Sequence, residues 1–317
     1  MSKLFNYFPQ NIKKILIKIT LRPGVEIQEI RLRVNRPLEV ITSCDKFFLQ
    51  KNGNKADSNY QQAYTVSREE LKQAVILVSN NSLYAVERQL KEGFITLPGG
   101  HRVGFTGEVV TDKQKIKTIK NINSLNYRFT SEVIGAGNKV LPCLLTDNRK
   151  FINTLLISPP LCGKTTLLRD LVRTLSTGSE KLSFQGLRVG VVDERSEIGG
   201  ACRGVPGNDL GLRTDLLDNC PKVEGMMLLI RSMSPEVIAV DEIGGKREVT
   251  ALREAGRAGV GLLATIHGSS LQDVRQRPGM KPVMAGQLFK RIIVLSRRQG
   301  PGTVEKIQDR EGRELKK

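Results

Sequence analysis

The chain has no tryptophan and only two histidines, and aromatic residues make up 5% of its 317 positions. Stacking platforms for single-stranded nucleic acid, which depend on aromatic rings, are therefore not evident. Its five cysteines are widely spaced and form no C-x-x-C pair, which argues against a zinc site and against a secreted domain held by disulfides. We interpret them as reduced thiols of a cytosolic protein.

Long apolar runs are also missing, since no stretch approaches the ~20 apolar residues that a transmembrane helix needs. The first 21 residues are interrupted by Pro9, Lys13, Lys14 and Lys18 and do not resemble a signal peptide. Four apolar residues recur there at helical spacing: Ile12, Ile15, Leu16 and Ile19. The lysines between them would suit a helix on a membrane surface, but we favour a helix packed against its own domain.

Acidic residues are few relative to basic ones. Lys and Arg total 50 and Asp and Glu total 32, which gives a net charge of +18. This balance favours anionic partners, namely nucleotides, nucleic acid or an acidic lipid surface, and does not choose among them. Hydrophobic residues make up 39% of the chain, enough for a sizeable core, and the length predicts about two domains.

The first part of the chain is predicted to be a smaller α+β domain over residues 1–148. Alternating apolar residues and an Asn-Gly turn indicate short antiparallel strands between Val25 and Tyr64. Ser67 with Glu70 three residues later is a capping-box signature that predicts a helix to about residue 78. A second helix and then a hairpin are expected over three further segments: Ser82–Glu92, Phe94–Leu97 and His101–Val110.

Residues 149–317 are expected to form an α/β domain with a mostly parallel sheet. Apolar runs alternate there with helical patterns, and the runs are Thr154–Ile157, Leu187–Val192, Val237–Val240 and Gly261–Ile266. Continuous runs of this length suit strands buried on both faces. Near the end, Arg291–Leu295 and Thr303–Ile307 flank a Gly-Pro-Gly turn and predict an antiparallel hairpin at the sheet edge.

A phosphate-binding loop is predicted directly after the first of these runs. The sequence S-P-P-L-C-G-K-T over residues 158–165 matches G-x-x-x-x-G-K-[ST] except at its first position, and a helical pattern follows. In such loops backbone N–H groups face the phosphates, the lysine reaches their outer oxygens, and the hydroxyl of Thr165 would bind Mg²⁺. The candidate nucleotide-binding residues are Ser158, Pro159, Pro160, Leu161, Cys162, Gly163, Lys164, Thr165 and Thr166. Two of them, Ser158 and Leu161, stand where glycine is common, which favours weaker binding.

Carboxylates follow two of the other apolar runs. Asp241 and Glu242 end the run at 237–240, where an acid can hold Mg²⁺ and its neighbour can orient the attacking water. A surface acid pair is the alternative. Asp193 and Glu194 offer a second catalytic carboxylate or, alternatively, an ion pair with Arg195. His267 ends the run at 261–266. It would face the phosphates and sense the nucleotide near the point where the strand order of the sheet reverses. Alternatively, it caps a helix or packs in the core.

Taken in order, the motifs resemble those of the stage III sporulation protein AA family, RecA-like relatives of the type II and type IV secretion ATPases. They are L-P-G-G-H-R-V-G at 97–104, N-Y-R at 126–128, P-P-L-C-G-K-T-T-L-L-R at 159–169, V-D-E-R-S-E at 192–197, V-D-E-I-G at 240–244 and A-T-I-H-G at 264–268. The family usually has glycine where Leu161 stands, which puts the loop geometry in question.

The resemblance implies a RecA-like ATPase domain that uses ATP and Mg²⁺ and works as a hexameric ring. It also implies a place in the mother-cell cytoplasm, peripheral to the membrane, where the protein energises or assembles a channel complex with membrane channel subunits as partners. By the same comparison residues 193–197 are an acidic box, 241–242 a Walker B segment and 265–267 a histidine segment. Arg102 and Arg128 would bring positive charge to the γ-phosphate from the N-terminal domain, or alternatively pair with surface carboxylates such as Glu108 or Glu132.

Other functions remain open at this point. A P-loop ATPase acting on nucleic acid would suit the net charge, and a nucleotide-binding scaffold with weak hydrolysis would suit the two altered loop positions. An ABC transporter subunit is excluded because no L-S-G-G-Q-like signature occurs. The segment from Gly199 to Lys222 is too irregular for an element and is expected to be a pore-facing or intersubunit loop, or a mobile surface loop.

Overall fold

The computed structural model describes residues 2–20, 26–42, 44–56, 60–80, 89, 93–112, 115–130, 132–277 and 288–315. The chain divides into two compact units, Met1–Ser131 and Glu132–Lys317. The second unit thus begins earlier than the expected boundary between residues 148 and 149. The physical reason is packing, because four apolar side chains of the intervening segment are buried in the core of the second unit: Val140, Leu141, Leu144 and Leu145.

The first unit is built on an antiparallel sheet of seven strands in the order β5-β4-β3-β1-β9-β8-β7. Its strands are β1 (Ile27–Arg33), β3 (Glu39–Thr42), β4 (Lys46–Leu49), β5 (Lys55–Ala56), β7 (Phe94–Leu97), β8 (His101–Asp112) and β9 (Lys115–Arg128). A separate two-stranded sheet pairs β2 (Arg36–Pro37) with β6 (Thr65–Val66). The predicted antiparallel strands and the hairpin of β7 and β8 are confirmed. The predicted helix over 82–92 lies outside the described residues except for Gln89.

Two α-helices of the first unit, α1 (Gln10–Thr20) and α2 (Arg68–Val78), confirm their sequence signals. The four apolar residues of α1 are at most 2% exposed, so this helix packs against its own domain, as expected. The capping box of α2 is present: the Glu70 N–H donates to Ser67 Oγ at 3.1 Å, and the Ser67 N–H donates to Glu70 Oε2 at 3.0 Å. Two short 3₁₀ helices, Ser2–Tyr7 and Tyr60–Gln62, complete the described elements of this unit.

The second unit contains a seven-stranded sheet in the order β12-β11-β13-β14-β10-β15-β16. The strands are β10 (Thr154–Ser158), β11 (Val189–Asp193), β12 (Thr214–Asp218), β13 (Val237–Val240), β14 (Gly261–His267), β15 (Arg291–Ser296) and β16 (Thr303–Asp309). All neighbours pair in parallel except β15 and β16, which form the antiparallel hairpin at the edge. The mostly parallel sheet and the edge hairpin are therefore confirmed.

Helices cover this sheet and join its strands. They are α3 (Lys164–Thr177), α4 (Lys222–Ser232), α5 (Lys246–Arg257) and α6 (Leu271–Gln276), with 3₁₀ helices at Leu141–Leu144 and Glu180–Leu182. Two hydrophobic clusters make the core of the unit. Among the described residues of the chain, no helix is long and apolar enough to cross a membrane.

The expectation that residues 199–222 carry no regular element is wrong, because strand β12 lies within them. β12 pairs in parallel with β11, from Val189 opposite Thr214 to Asp193 opposite Asp218. All five of its residues are half-buried, and its two leucines, Leu216 and Leu217, pack against the two different hydrophobic clusters of the unit. Its sequence T-D-L-L-D has only two apolar residues and so lacks the continuous run that marks the central strands.

Candidate active site

The predicted site residues of the second unit meet at the carboxyl ends of neighbouring parallel strands. Ser158 at the end of β10 lies opposite His267 at the end of β14, and Val240 at the end of β13 lies opposite Ala264. Parallel strands place all their carboxyl ends at one edge, which is where open α/β sheets bind ligands. The loop after β10, the two acids after β13 and the histidine of β14 therefore share one edge of the sheet.

The predicted phosphate-binding loop connects β10 to the N-terminus of α3. Gly163 precedes the helix with φ +79, a left-handed conformation, and a Cβ there would lie 2.7 Å from the Gly302 backbone nitrogen. That nitrogen donates to the carbonyl of Cys162 at 2.8 Å, so the turn of the edge hairpin packs against the loop. Only glycine fits at position 163 without displacing this turn.

Leu161 adopts the left-handed conformation that glycine favours, with φ +59, and its side chain is 81% exposed. The loop thus reaches a glycine-like backbone geometry with a leucine, at a cost of about 1–2 kcal/mol for an L-residue. Ser158, which replaces the first glycine, is buried, and its hydroxyl donates to the Pro159 carbonyl at 2.8 Å. Neither substitution prevents the turn into α3.

The Lys164 ammonium is the centre of the site. Its side chain is 5% exposed, and Nζ lies 3.2 Å from Glu242 Oε1 and 3.7 Å from Asp241 Oδ1. His267 Nε2 is 3.5 Å from the same nitrogen. A buried ammonium requires compensating negative charge, and here the two carboxylates supply it. An anionic ligand that binds Lys164 would therefore compete with Glu242 for the same charge.

Asp241 lies between two threonine hydroxyls. Thr165 Oγ1 donates to Asp241 Oδ2 at 2.7 Å, and Thr265 Oγ1 donates to Asp241 Oδ1. A hydroxyl and a carboxylate at hydrogen-bond distance are the hard oxygen donors that suit Mg²⁺. Among the described residues no group of three or more His, Cys, Asp or Glu side chains is arranged to hold a metal ion. Mg²⁺ is usually bound in proteins through one or two carboxylates together with waters and substrate phosphates.

Glu242 has an unusual backbone and a charged neighbourhood. Its φ is +54, its N–H donates to Thr265 Oγ1 at 2.9 Å, and Oε1 lies 2.7 Å from His267 Nε2. Partial burial pushes the pKa of Glu242 upward, but Lys164 and His267 outweigh it and lower the pKa below its usual value. Glu242 is thus held as a carboxylate facing the lysine that is expected to bind phosphate.

His267 contacts the other candidate residues directly rather than filling the core. Its Nε2 faces Glu242 and Lys164, whereas its Nδ1 is buried and has no hydrogen-bond partner. An unpaired buried ring nitrogen costs free energy. This cost would be relieved if the ring turned or gained a partner when a ligand enters.

Asp193 organises the loop that follows β11. Its side chain is 2% exposed, and its two oxygens accept the N–H groups of Glu197, Ile198 and Gly199 at 2.8–2.9 Å. Burial raises the pKa of Asp193 to about 6, although these N–H groups oppose the shift. Both oxygens are thereby engaged by backbone. The guanidinium of Arg195, the alternative partner, has its Nη1 3.9 Å from Glu242 Oε2.

Glu194 lines the same cleft as Glu242 and pairs with a lysine that no sequence motif singles out. Its Oε2 is 3.2 Å from Lys222 Nζ, and Lys222 Nζ also donates to the Glu242 carbonyl at 2.9 Å. The sequence signal for this residue is weak, because Lys222 is one of 50 basic residues and lies in none of the motifs. The contact becomes evident only when the ends of β11 and β13 are adjacent.

The two arginines of the first unit are neighbours. Arg102 on β8 and Arg128 on β9 are directly opposite in the antiparallel register, and Glu29 on β1 is opposite Arg128. Arg128 Nε is 3.8 Å from Glu29 Oε1, and the Arg102 guanidinium lies 4.6 Å over the Phe94 ring. The alternative partners are otherwise engaged: Glu108 accepts from Asn121 and Glu132 from the Asp209 N–H. The Arg128–Glu29 contact is an ion pair with a carboxylate of the same sheet, which is the kind of pairing that the alternative expects.

Comparison with solved structures shows a RecA-like fold. The pilus retraction motor PilT with bound ADP matches with a TM-score of 0.56 and 14% identity, over 89% of this chain and 76% of that chain. The ATPase DotB of Legionella pneumophila matches with a TM-score of 0.53 and 14% identity, over 84% of this chain and 72% of that chain. The expected fold class is confirmed.

Sequence relatives are closer. Stage III sporulation protein AA of Bacillus subtilis (strain 168) is 42% identical over 315 residues, which cover 99% of this chain and 97% of that protein. The family model described as "Sporulation stage III, protein AA" matches residues 2–315. The resemblance drawn from the motifs is confirmed. The chain belongs to the family of sporulation stage III proteins AA.

Proposed function

We propose that the chain binds ATP with Mg²⁺ at the carboxyl edge of the second unit's sheet and hydrolyses it to ADP and phosphate. The observation that carries this proposal is Lys164, a nearly buried ammonium at the start of α3 that faces Asp241 and Glu242 across the strand ends. A buried cation with a neighbouring metal-binding acid and a helix N-terminus is the arrangement that phosphoryl transfer requires.

Binding would use the residues of the loop and the helix start. The N–H groups around Gly163 and Lys164 face the phosphates, and Lys164 exchanges its contact with Glu242 for one with the outer phosphate oxygens. Thr165 and Asp241 would hold Mg²⁺, which supplies positive charge between the phosphate oxygens. The nearby Ser158, Pro159, Pro160, Leu161, Cys162 and Thr166 shape the loop.

Hydrolysis would depend on Glu242. Once Lys164 has turned to the phosphates, the Glu242 carboxylate is available to accept a proton from the attacking water. Its lowered pKa keeps it ionised for this role. His267, 2.7 Å from Glu242 Oε1, orients that carboxylate and faces the phosphate side. Asp193 contributes indirectly, by holding the loop of residues 197–199 with its carboxylate. Glu194 contributes indirectly, through its ion pair with Lys222.

We propose that ATP hydrolysis by this protein drives a secretion-like assembly in sporulation. The protein would work there as a motor or assembly ATPase of a channel between mother cell and forespore. The family membership supports the link with sporulation, and the fold shared with an ATPase and a pilus retraction motor supports the mechanical role. The proposal includes a hexameric ring on the mother-cell side that is held at the membrane through channel subunits. Co-purification of membrane channel subunits from sporulating cells tests it, and recovery of nucleic acid without such subunits would contradict it.

The arginine pair leads to a prediction about the completeness of the site. Arg102→Ala and Arg128→Ala are each expected to retain ATP binding and to lose most hydrolysis, because an arginine supplied from the N-terminal unit stabilises charge that develops in the transition state. Activity per subunit is expected to rise with protein concentration as rings assemble. The measurement is ATP turnover across a dilution series, with Arg36→Ala, an exposed arginine of the first unit, as the control. Full turnover in both mutants would show that neither arginine completes the site.

Nucleic acid is the alternative partner, and the net charge of +18 is the observation that favours it. We predict only weak binding, because basic residues are spread over both units without aromatic residues between them. Titration of the protein with labelled single- and double-stranded DNA at two salt concentrations checks this. Submicromolar, salt-sensitive binding to DNA of any sequence would favour an ATPase that acts on nucleic acid.

A further inference from the structure

Lys222 is a mostly buried cation of the site that the proposed mechanism does not use directly. It is the first residue of α4, and its side chain is 12% exposed. Its Nζ donates to the backbone carbonyl of Glu242 at 2.9 Å and lies 3.2 Å from Glu194 Oε2 and 3.6 Å from Glu248 Oε1. One ammonium therefore connects the ends of β11 and β13 with the first turn of α5.

The backbone that Lys222 contacts is strained. Glu242 has φ +54, a conformation that a residue with a Cβ rarely adopts and that persists only when its surroundings hold it. Its N–H is fixed by Thr265 Oγ1 at 2.9 Å, on one side of the residue. On the other side the carbonyl is fixed by Lys222. Both polar groups of the Glu242 backbone are therefore engaged, and its carboxylate lies 3.2 Å from Lys164 Nζ.

Glu248 extends the same network to the residues that follow Glu242. Its Oε2 accepts the N–H groups of Gly244 and Gly245 at 2.7 and 2.9 Å, while its Oε1 faces Lys222. Lys222 thus holds the carbonyl of residue 242, and Glu248 holds the N–H groups of residues 244 and 245. The two side chains are themselves linked, because Lys222 Nζ faces Glu248 Oε1. Glycines at positions 244 and 245 give this segment little stiffness of its own.

We propose that Lys222 is a positioning residue that holds Glu242 in its strained, hydrolysis-competent conformation and couples it to Glu194, which directly follows the neighbouring strand β11. The inference rests on the proposed hydrolysis for its kinetic consequence but not for its structural one. Because the contacts of the Lys222 ammonium are with Glu194, Glu242 and Glu248 rather than with the phosphate-binding loop, its loss spares ATP binding. A displacement of the reacting group by about 1 Å is enough to slow a reaction about 100-fold.

The test compares Lys222→Met with Lys246→Met, since Lys246 is also the first residue of its helix, two positions from Glu248, but is exposed. In Lys222→Met we expect kcat to fall about 10- to 100-fold with KM for ATP within about twofold of wild type. Amide hydrogen exchange across 242–245 in the protein without nucleotide should accelerate about tenfold, as expected when one hydrogen bond to a charged group is lost. Lys246→Met should match wild type in both measurements, and Lys222→Arg should recover most of the loss.

A folded Lys222→Met protein with wild-type exchange across 242–245 overturns the proposal, whether or not kcat changes. If the wild-type protein does not hydrolyse ATP, the proposed function fails, and hydrogen exchange alone decides the positioning role. Should Lys222→Met fail to fold, Lys222→Gln, which stays polar but is too short to reach the carbonyl, gives the same comparison.

Discussion

Replacing Lys164 by alanine is expected to abolish ATP hydrolysis and to weaken ATP binding by about 10- to 100-fold. The size follows from the loss of a hydrogen bond between a charged donor and the phosphates, worth about 1.5–3 kcal/mol. The measurements are ATP turnover and titration of the purified protein with Mg·ATP. Lys181→Ala is the control, because Lys181 is an exposed lysine of the same unit.

The Lys164 mutation also has a consequence in the protein without nucleotide. Glu242 and Asp241 lose the ammonium that lies 3.2 and 3.7 Å away, so the pKa of Glu242 should rise from its lowered value. ATP turnover equal to wild type in the folded mutant would contradict the assignment of residues 158–166 as the nucleotide site.

Glu242→Gln is expected to bind ATP and to hydrolyse it about 10²- to 10⁴-fold more slowly. The amide keeps the shape of the carboxylate but cannot accept the proton of the attacking water, and removal of a general base costs rate in this range. Binding should become tighter than in wild type, because the Lys164 ammonium no longer has Glu242 as a competing partner in the free protein. Single-turnover phosphate release and nucleotide titration separate the two effects.

Glu254→Gln, which changes an exposed carboxylate on α5, is the matched control for that experiment. Asp193→Asn is the informative comparison. Its carboxylate accepts three backbone N–H groups, so we expect this mutant to loosen residues 197–199 rather than to accumulate bound ATP. If Asp193→Asn instead traps ATP while Glu242→Gln turns over normally, Asp193 is the hydrolytic carboxylate.

The sequence predicted the sheet of the second unit and the edge where the site lies, for a physical reason. Central parallel strands are buried on both faces and therefore appear as continuous apolar runs, as in Val237–Val240. The residues after each run then fall at one edge, so the positions of Lys164, Asp241 and His267 could be related from the sequence alone. The sequence does not reveal strand β12, because its residues at the edge of the sheet are only half-buried and form no such run.

Contacts that depend on tertiary packing were beyond the sequence. Nothing in the pattern of residues 132–148 shows that Val140 and Leu144 belong to the core of the second unit, because short apolar segments pack against whichever surface is near. Lys222 and the Glu242 carbonyl are 20 positions apart in the sequence. They meet because of the order of the strands in the sheet, which the sequence does not specify. The left-handed backbone of Glu242 is likewise not predictable, since glutamate disfavours it, whereas at Leu161 the usual glycine of the family signals it.

The most direct test is a crystal structure of the full chain with Mg²⁺ and a non-hydrolysable ATP analogue. We predict phosphate oxygens about 3 Å from Lys164 Nζ and from the N–H groups around Gly163, Mg²⁺ bound by Thr165 and Asp241, and Glu242 released from its 3.2 Å contact with Lys164. An analogue bound elsewhere on the chain, with the Lys164–Glu242 pair intact, would contradict the assignment of this edge of the sheet as the ATP site.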